Sequence, residues 1–441
     1  MHIIEKIPKP IIAADAGRHL IARTFNSGFS ASRDNFNSIS AASDGHIYYI
    51  LSSDSVEVGG VMYAYNPLTD ETTTLGNLTD FCGEQHMQAI PQGKSHVRFY
   101  ESKGKLYFST HVGYYEQIDG MDKLPVNAPT GIALYPGGHI LAFDLYTKEI
   151  TDLAMAPEGE GIVSMTMDSD REQIYGISWP KGNFIHYDIK KNDLKNLGQI
   201  SGNGENGKPG RDFRSLCRSL FVDPRDGSVY FSTAEGDVCA YRPGSAEIQP
   251  LKDVNLRLDY LGKYDPARPG SMGYNWRKIF WYTPEQVAYG VHGNSGYLFR
   301  FDPMGEKLEL IERITSEPSK KSGMFDQFSY GYLGFQLGPD GETIYYLTGG
   351  PIYVNGHRLK GNDEIEKGAA KGLENLHLVT YHLPTNHYQD HGPIFYENGD
   401  RPLCVNSIAV GRDGNIYTLA RITENGHTRT DLICFPDPLK S

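Results

Sequence analysis

A short hairpin with a tyrosine in its second strand recurs seven times in this 441-residue chain, and it constrains the fold more than any other feature. In each copy a turn, in most cases rich in Asp and Gly, leads into an apolar strand, as in "KGKLYFST", which is the pattern of a β-hairpin. The repeated tyrosines are Tyr48, Tyr107, Tyr175, Tyr230, Tyr289, Tyr345 and Tyr417. Their spacings of 55 to 72 residues are too regular for chance and indicate a repeat architecture.

Most copies continue into a third strand that ends in an aromatic residue followed by Asp or Pro, such as "IHYDI" (185–189), and then into a short fourth strand. Four antiparallel strands repeated seven times predict an all-β fold, a seven-bladed β-propeller of four-stranded antiparallel blades. The last copy stops after its third strand, "DLICF". We therefore expect an N-terminal strand near "RHLIARTF" (18–25) to complete this blade and close the ring, so that residues 1–441 form a single propeller domain.

Composition excludes several classes of function. The formal net charge of −12 argues against a nucleic-acid partner, because such proteins need a basic face. No apolar run is long enough to span a membrane, and the N-terminus lacks the apolar core of a signal peptide. The five cysteines form no CxxC pair and are expected to be reduced. Without a recognisable signal peptide we expect a cytoplasmic protein, and a secreted protein whose signal peptide has been removed stays the alternative. The oligomeric state is not indicated.

The long insertions are expected on one face of the propeller. In a blade with strands A to D, the A–B and C–D turns share one face, and the B–C and D–A loops share the other. The turns of the first face are short here, whereas the insertions fall in the loops of the second face, at 78–95, 112–139, 200–216, 253–275, 316–331 and 350–376. Long loops on one face of a rigid scaffold usually carry function.

The hairpin of residues 93–111 has a histidine at each open end. His96 enters its first strand and His111 leaves its second strand. Because both ends lie at the face with the long loops, the two imidazoles are expected to lie side by side at the mouth of the central funnel. A single histidine at a strand start is more often structural, and that reading stays open for each of them.

The same register in the other blades collects a larger set of candidate residues around the funnel. The catalytic candidates are His96, His111, Tyr114 and Arg218. The substrate-binding candidates are Lys94, Tyr115, Glu160, Trp179, Arg214, Trp276, Arg277, His292, Tyr332 and Arg421. Aromatic faces stack on sugar rings and arginine binds a carboxylate with two donors, so this mixture predicts a carbohydrate ligand that carries a carboxylate.

β-Elimination on a uronic acid is the chemistry that matches these residue types best. The reaction needs the carboxylate neutralised, a base for the proton on the adjacent carbon, and an acid for the leaving oxygen. Arg218, with Arg214 or Arg277, fits the first role. His96 or His111 fits the base, and Tyr114 or Tyr115 fits the acid.

Two other functions remain open. A glycoside hydrolase could act on the same substrates, although Glu160 is the only obvious carboxylate at the mouth and the two-carboxylate route needs a pair. A non-catalytic propeller that binds a ligand or a protein needs no matched acid and base. No cofactor is indicated with certainty; histidines at the mouth could hold a divalent metal, but no HxH or HExxH spacing supports this.

With these repeats and the segments "QGKSH" (92–96) and "LYFSTHVGYY" (106–115), the sequence resembles seven-bladed propeller carbohydrate enzymes. These include oligogalacturonate lyases and the enzymes that release rhamnose from glucuronate. The resemblance implies a funnel lined by His and Arg, with His96, His111 and Arg218 matching in residue type and location. Oligogalacturonate lyases also hold manganese with clustered histidines and a glutamine, and this sequence has no closely spaced Gln-x-x-His-x-His group.

Overall fold

The structure is a computed structural model, and it describes residues 19–118, 121–258, 261, 264–265, 267, 272–293, 295–321, 334–351, 353–354, 357–358, 374–403, 405–424 and 427–440. Its strands are β1 (Leu20–Thr24), β2 (Ile39–Ala41), β3 (Ile47–Leu51), β4 (Val61–Asn66), β5 (Glu71–Asn77), β6 (Gln92–Lys94), β7 (Tyr100–Ser102), β8 (Lys105–Ser109), β9 (His111–Val112), β10 (Glu116–Ile118), β11 (Met121–Lys123), β12 (His139–Asp144), β13 (Ile150–Met155), β14 (Gly161–Asp168), β15 (Gln173–Trp179), β16 (Asn183–Asp188), β17 (Asp193–Gln199), β18 (Phe221–Val222), β19 (Val229–Ser232), β20 (Asp237–Tyr241), β21 (Ile248–Asn255), β22 (Trp276–Tyr282), β23 (Val287–His292), β24 (Tyr297–Asp302), β25 (Lys307–Arg313), β26 (Gly334–Leu337), β27 (Thr343–Pro351), β28 (Tyr353–Val354), β29 (His357–Arg358), β30 (Glu374–His382), β31 (His387–Tyr396), β32 (Ala409–Val410), β33 (Asn415–Glu424) and β34 (His427–Pro436). The helices are α1 (Leu78–Phe81) and α2 (Glu317–Lys321). Neither of these helices is long and apolar enough to cross a membrane.

Four-stranded sheets dominate the described part of the chain. Their strand orders are β2-β3-β4-β5, β13-β12-β8-β7, β14-β15-β16-β17, β18-β19-β20-β21 and β22-β23-β24-β25. In four of these sheets neighbouring strands follow one another along the chain, whereas in the sheet β13-β12-β8-β7 the strands β9, β10 and β11 come between β8 and β12 in sequence. The residue registers are antiparallel, as between β14 and β15 or β22 and β23. The predicted all-β fold of four-stranded antiparallel propeller blades is confirmed.

One larger sheet has the order β26-β27-β30-β31-β1-β34-β33-β32. It consists of two antiparallel groups of four strands, and β1 joins them. β1 pairs antiparallel with β34, with Arg23 opposite Cys434, and parallel with β31, with Leu20 opposite Ile394. The N-terminal strand therefore supplies the fourth strand of the last group, as the truncated last repeat predicts.

The repeated tyrosines lie on the second strand of each four-stranded group and are buried. In some copies the hydroxyl explains the acidic residue of the preceding turn: Tyr48 donates to Asp44 over 2.8 Å, and Tyr417 donates to Asp413 over 2.6 Å. Tyr345 donates instead to Asp437 over 2.8 Å. A buried phenol needs such a partner for its hydroxyl. The repeat motif is thus a packing and turn-bracing device, as expected of residues without chemistry.

The chain forms two compact units. One contains the described residues of Met1–Leu51, Ala64–Thr73 and Arg313–Ser441, and the other contains those of Ser52–Tyr63 and Thr74–Glu312. The first has a core of aliphatic and aromatic residues that includes Tyr345 and Ile416. The second has a larger, aromatic-rich core that includes Trp276 and Phe299. The number of blades, seven, and the single domain of residues 1–441 stay predictions.

Candidate functional site

The two histidines of the predicted hairpin lie side by side in the second unit. β6 pairs with β9, with Lys94 opposite His111, and His96 lies two residues after the end of β6. The ring centroids of His96 and His111 are 4.5 Å apart. The structure thus brings the imidazoles together where the hairpin pattern predicts, whereas their chemical roles stay predictions.

Two glycines allow the short β6–β9 pairing to form. A Cβ atom on Gly113 would overlap the carbonyl oxygen of Ser53, and one on Gly93 would overlap the backbone of Gly113. No other residue fits at either position without moving backbone, so "QGK" and "VGYY" encode a close approach of chains. This approach fixes the backbone that carries both histidines.

His111 has a defined tautomer. Its Nδ1 atom lies 2.9 Å from the carbonyl oxygen of Val112, which can only accept, so Nδ1 carries the proton and Nε2 carries the lone pair. The Nε2 atom is buried and has no hydrogen-bond partner among the described residues. Burial and then the nearby Lys94 charge lower the pKa of His111 to about 3, so the imidazole is neutral over the physiological range.

His96 is held neutral by the same causes. Burial lowers its pKa well below the ordinary value, and the charge of His111 and then of Lys94, Arg218 and Arg277 lowers it further. Three cations, Lys94, Arg218 and Arg277, therefore act on the pair, against the carboxylate of Glu205, which pairs with Arg218. Such surroundings favour an anionic ligand over a second proton on either ring.

An aromatic wall flanks the pair. The Lys94 Nζ atom lies 4.1 Å from the centre of the Tyr115 ring, and Tyr115 meets Trp179 edge-on at 5.3 Å between centroids. Trp179 in turn lies 5.2 Å from His111. Because Trp179 is only 3% exposed, its indole supports the histidine and does not offer an open stacking face. Tyr114 is half-buried and packs against the core of this unit.

Arg218 is anchored by a residue that the sequence analysis missed. Its Nη2 atom donates to Oε1 of Glu205 over 2.6 Å, and its Nη1 atom donates to the carbonyl oxygen of Leu216 over 3.2 Å. The second carboxylate oxygen of Glu205 accepts from Nε1 of Trp179 over 2.8 Å. Glu205 lies in the Gly/Asn-rich loop "GNGENGKPG", whose composition indicates a turn but no charged anchor.

Three predicted binding residues have structural partners instead. Glu160 is buried and accepts from Ser178, from Asn183 and from the backbone of Lys181, while burial raises its pKa. Arg214 pairs with Glu235. Trp276 is fully buried and donates its indole hydrogen to the carbonyl oxygen of Ser219 over 2.7 Å.

Of the remaining candidates, Arg277 acts on the pair through its charge, which lowers the pKa of His96. His292 and Arg421 have other partners among the described residues. His292 is buried at the end of β23, with Nδ1 2.9 Å from the Ser295 hydroxyl, and burial lowers its pKa to about 4. Arg421 belongs to the first unit, where it pairs with Asp34. Tyr332 lies outside the described residues.

The residues around the histidine pair do not fit the manganese that the family resemblance implies. No group of three or more His, Cys, Asp or Glu side chains in the described ranges could hold a metal ion. The charged neighbours of His96 include Lys94, Arg218 and Arg277, and their positive charges repel a metal cation between the rings. No step of the chemistry proposed below involves a metal.

No protein-family model matches this sequence, and no curated protein matches it. A chain in the crystal structure of the mitotic checkpoint complex is similar to it, with a TM-score of 0.50 and 11% identity over 98% of this chain and 95% of that chain. A chain of Kuenenia stuttgartiensis hydrazine synthase gives a TM-score of 0.44 and 10% identity, over 73% of this chain and 75% of that one. A chain of a nidogen/laminin complex gives 0.37 and 9%, over 63% and 80%. The first similarity spans nearly the whole chain and shows a shared fold alone.

Proposed function

We propose that this protein is a carbohydrate lyase that cleaves uronic-acid-containing oligosaccharides by β-elimination at the histidine pair. One observation carries the proposal: a neutral imidazole with an unshared Nε2 lone pair lies among cationic side chains. The pair is His111 beside His96, and the nearest cations are Lys94 and Arg218. A base must be unprotonated to act, and a uronate must have its charge neutralised to lose a proton.

Carboxylate recognition is the role of Arg218 in this proposal. Its positive charge acts on both histidines, and a guanidinium can bind a carboxylate through paired N–H donors. Pairing the carboxylate with a cation withdraws charge from the adjacent carbon and makes its proton more acidic. Lys94, opposite His111 in the β6–β9 pairing, adds a second positive charge near the pair.

The β-elimination then consists of a proton transfer and the cleavage of one carbon–oxygen bond. His111 Nε2 takes the proton from the carbon next to the carboxylate, and the released electron pair forms a carbon–carbon double bond to the neighbouring ring carbon. The bond from that carbon to the glycosidic oxygen breaks, and the oxygen takes a proton from Tyr114 or Tyr115. Because His111 is 1% exposed, ligand access requires movement of the side chains around it.

Hydrolysis by two carboxylates has less support from the site. Glu160, the predicted mouth carboxylate, has both oxygens engaged by Ser178, Asn183 and Lys181, and Glu205 has both engaged by Arg218 and other donors. Neither is a spare acid or base of the kind that the two-carboxylate route requires. Hydrolysis through one histidine and binding without catalysis are the alternatives that the experiment separates.

The test is to incubate the protein with oligosaccharides containing galacturonate or glucuronate and to follow the ultraviolet absorbance of the unsaturated product. We expect absorbance from the wild type and from His387→Ala, which changes an exposed histidine on β31, and none from His111→Ala. New reducing ends without absorbance would favour hydrolysis. The absence of both signals would favour a propeller that binds without catalysis. The same assay with a chelator tests metal dependence.

A further inference from the structure

We infer that Glu205 is the positioning residue of this site, which holds the carboxylate-binding guanidinium of Arg218 and the indole behind His111 in one fixed arrangement. The inference rests on the proposed function and deepens it, because it names what orients the ligand-recognising group.

Glu205 uses both carboxylate oxygens at once. Oε1 accepts from the Arg218 side chain over 2.6 Å and from the backbone N–H of Leu216 over 3.1 Å, and Oε2 accepts from Trp179 Nε1 over 2.8 Å. The carboxylate is nearly buried, and the charged hydrogen bonds it accepts are of the stronger kind. One side chain therefore connects the arginine on one side of the site to the aromatic wall on the other.

The backbone of Glu205 is fixed as firmly as its side chain. It lies in a single 3₁₀ turn, Gly204–Asn206, and its N–H donates to the carbonyl oxygen of Pro180 over 2.8 Å. Lys123 Nζ donates to the Glu205 carbonyl oxygen over 2.6 Å. Gly204 has a φ of 54°, and a Cβ there would overlap the Pro180 carbonyl. The turn is thus fastened to the chain segment that follows Trp179.

Glu205 also affects the proposed base, His111, through Trp179. Trp179 lies between Glu205 and His111, with its ring 5.2 Å from the imidazole. Loss of the carboxylate would free both the guanidinium and the indole. A bidentate carboxylate contact is lost when the arginine fork turns by a few tens of degrees, so a small displacement has a large effect on recognition.

Charge alone predicts the opposite change in the anion affinity of Glu205→Gln, so a binding measurement can test the inference. Removing the negative charge of Glu205 makes the site more positive, so without a positioning role Glu205→Gln would bind an anion more tightly. If Glu205 has a positioning role, the NH2 group of the glutamine meets an N–H of Arg218 or Trp179, and two donors cannot bond to each other. Arg218 then turns away, and anion binding weakens. We expect about 10- to 100-fold weaker binding, the loss of one charged hydrogen-bond anchor.

The experiment measures D-glucuronate binding to the full chain by calorimetry, with D-glucose as the neutral control ligand. The variants are Glu205→Gln, Arg218→Ala and the double variant. The matched control is Asp223→Asn, which changes a buried carboxylate paired with Arg225 outside the site. We expect Asp223→Asn to bind as the wild type, and Glu205→Gln to have no further effect in the Arg218→Ala background, because the two act as a unit.

Each result of the binding comparison either supports or overturns the positioning role of Glu205. Unchanged or tighter binding by Glu205→Gln, additive effects in the double variant, or a wild type that binds no glucuronate overturns the inference. If Glu205→Gln does not fold, Trp179→Phe removes the donor to Oε2 while keeping a smaller aromatic ring beside His111, and it must weaken binding severalfold for the inference to stand. A wild type that binds glucuronate but yields no unsaturated product overturns the lyase proposal alone, and the binding comparison still tests Glu205.

Discussion

The stability of the second unit is expected to depend on the protonation of one buried histidine. His139, at the start of β12, lies with Nδ1 2.9 Å from Oδ2 of Asp152 and with Nε2 2.9 Å from Oε1 of Glu84. Burial alone lowers the pKa of an imidazole, but here the two carboxylates outweigh it and raise the pKa of His139 from 6.5 to about 9. The histidine is therefore charged in the folded protein at neutral pH.

The raised pKa of His139 sets both the size of its contribution to the unfolding free energy and the pH range in which that contribution is lost. A difference of about 2.5 pKa units between folded and unfolded states corresponds to about 3 kcal/mol of unfolding free energy. Because the folded pKa is the higher one, this contribution is fully present below pH 6.5 and is lost as the pH rises through about 9. Solvent screens the Asp152 contact, whose side chain is 38% exposed, more than the Glu84 contact, whose side chain is 5% exposed, so about 3 kcal/mol is an upper value.

Urea unfolding of the wild type and of His139→Gln at a series of pH values between 6 and 10 measures the effect. We expect the wild type to be the more stable at pH 6 and its advantage to shrink by up to about 3 kcal/mol by pH 10. His382→Gln is the control, because His382 is an exposed histidine beside Glu342, and exposed pairs contribute little. Curves for the wild type and His139→Gln that stay parallel over this range would refute the reasoning.

Three further predictions concern the site and the repeat. The lowered pKa of His111 keeps its base form available in acid, so kcat/KM of the lyase reaction should stay high well below pH 6.5, and an acid limb near 6.5 would contradict the assignment. Gly113→Ala should lower the melting temperature and abolish glucuronate binding, because the added methyl group overlaps the Ser53 carbonyl; a variant with wild-type melting and binding would show that the β6–β9 pairing adapts. Tyr417→Phe leaves Asp413 without its phenol donor and should cost about 1 kcal/mol in urea unfolding, with glucuronate binding unchanged.

Local repetition made the fold predictable from the sequence. Hairpin turns, strand alternation and the repeated tyrosine are signals within about ten residues, and each was found in its expected strand. The truncated last repeat also predicted the partner of β1, since a strand group with three members needs a fourth.

The site was predictable only in part, because its partners are distant in sequence. The hairpin brings His96 to His111, but Glu205 reaches Trp179 only through the packing of a loop against a neighbouring strand end. Trp276 shows another limit. The β22–β23 register shifts between Trp276 and Lys278, and such a bulge changes which side chains face the core. No composition signal marks that shift.

The position of β1 affects the order in which the protein can be completed during synthesis. Leu20 pairs with Ile394 and Arg23 with Cys434, so the first strand leaves the ribosome long before either neighbour exists. At about 5–20 residues per second, the delay is on the order of tens of seconds. During that time an apolar strand has two unpaired edges exposed to other nascent chains. The fold therefore leaves β1 without its sheet partners until nearly all of this sequence has been synthesised, and slower synthesis lengthens that period.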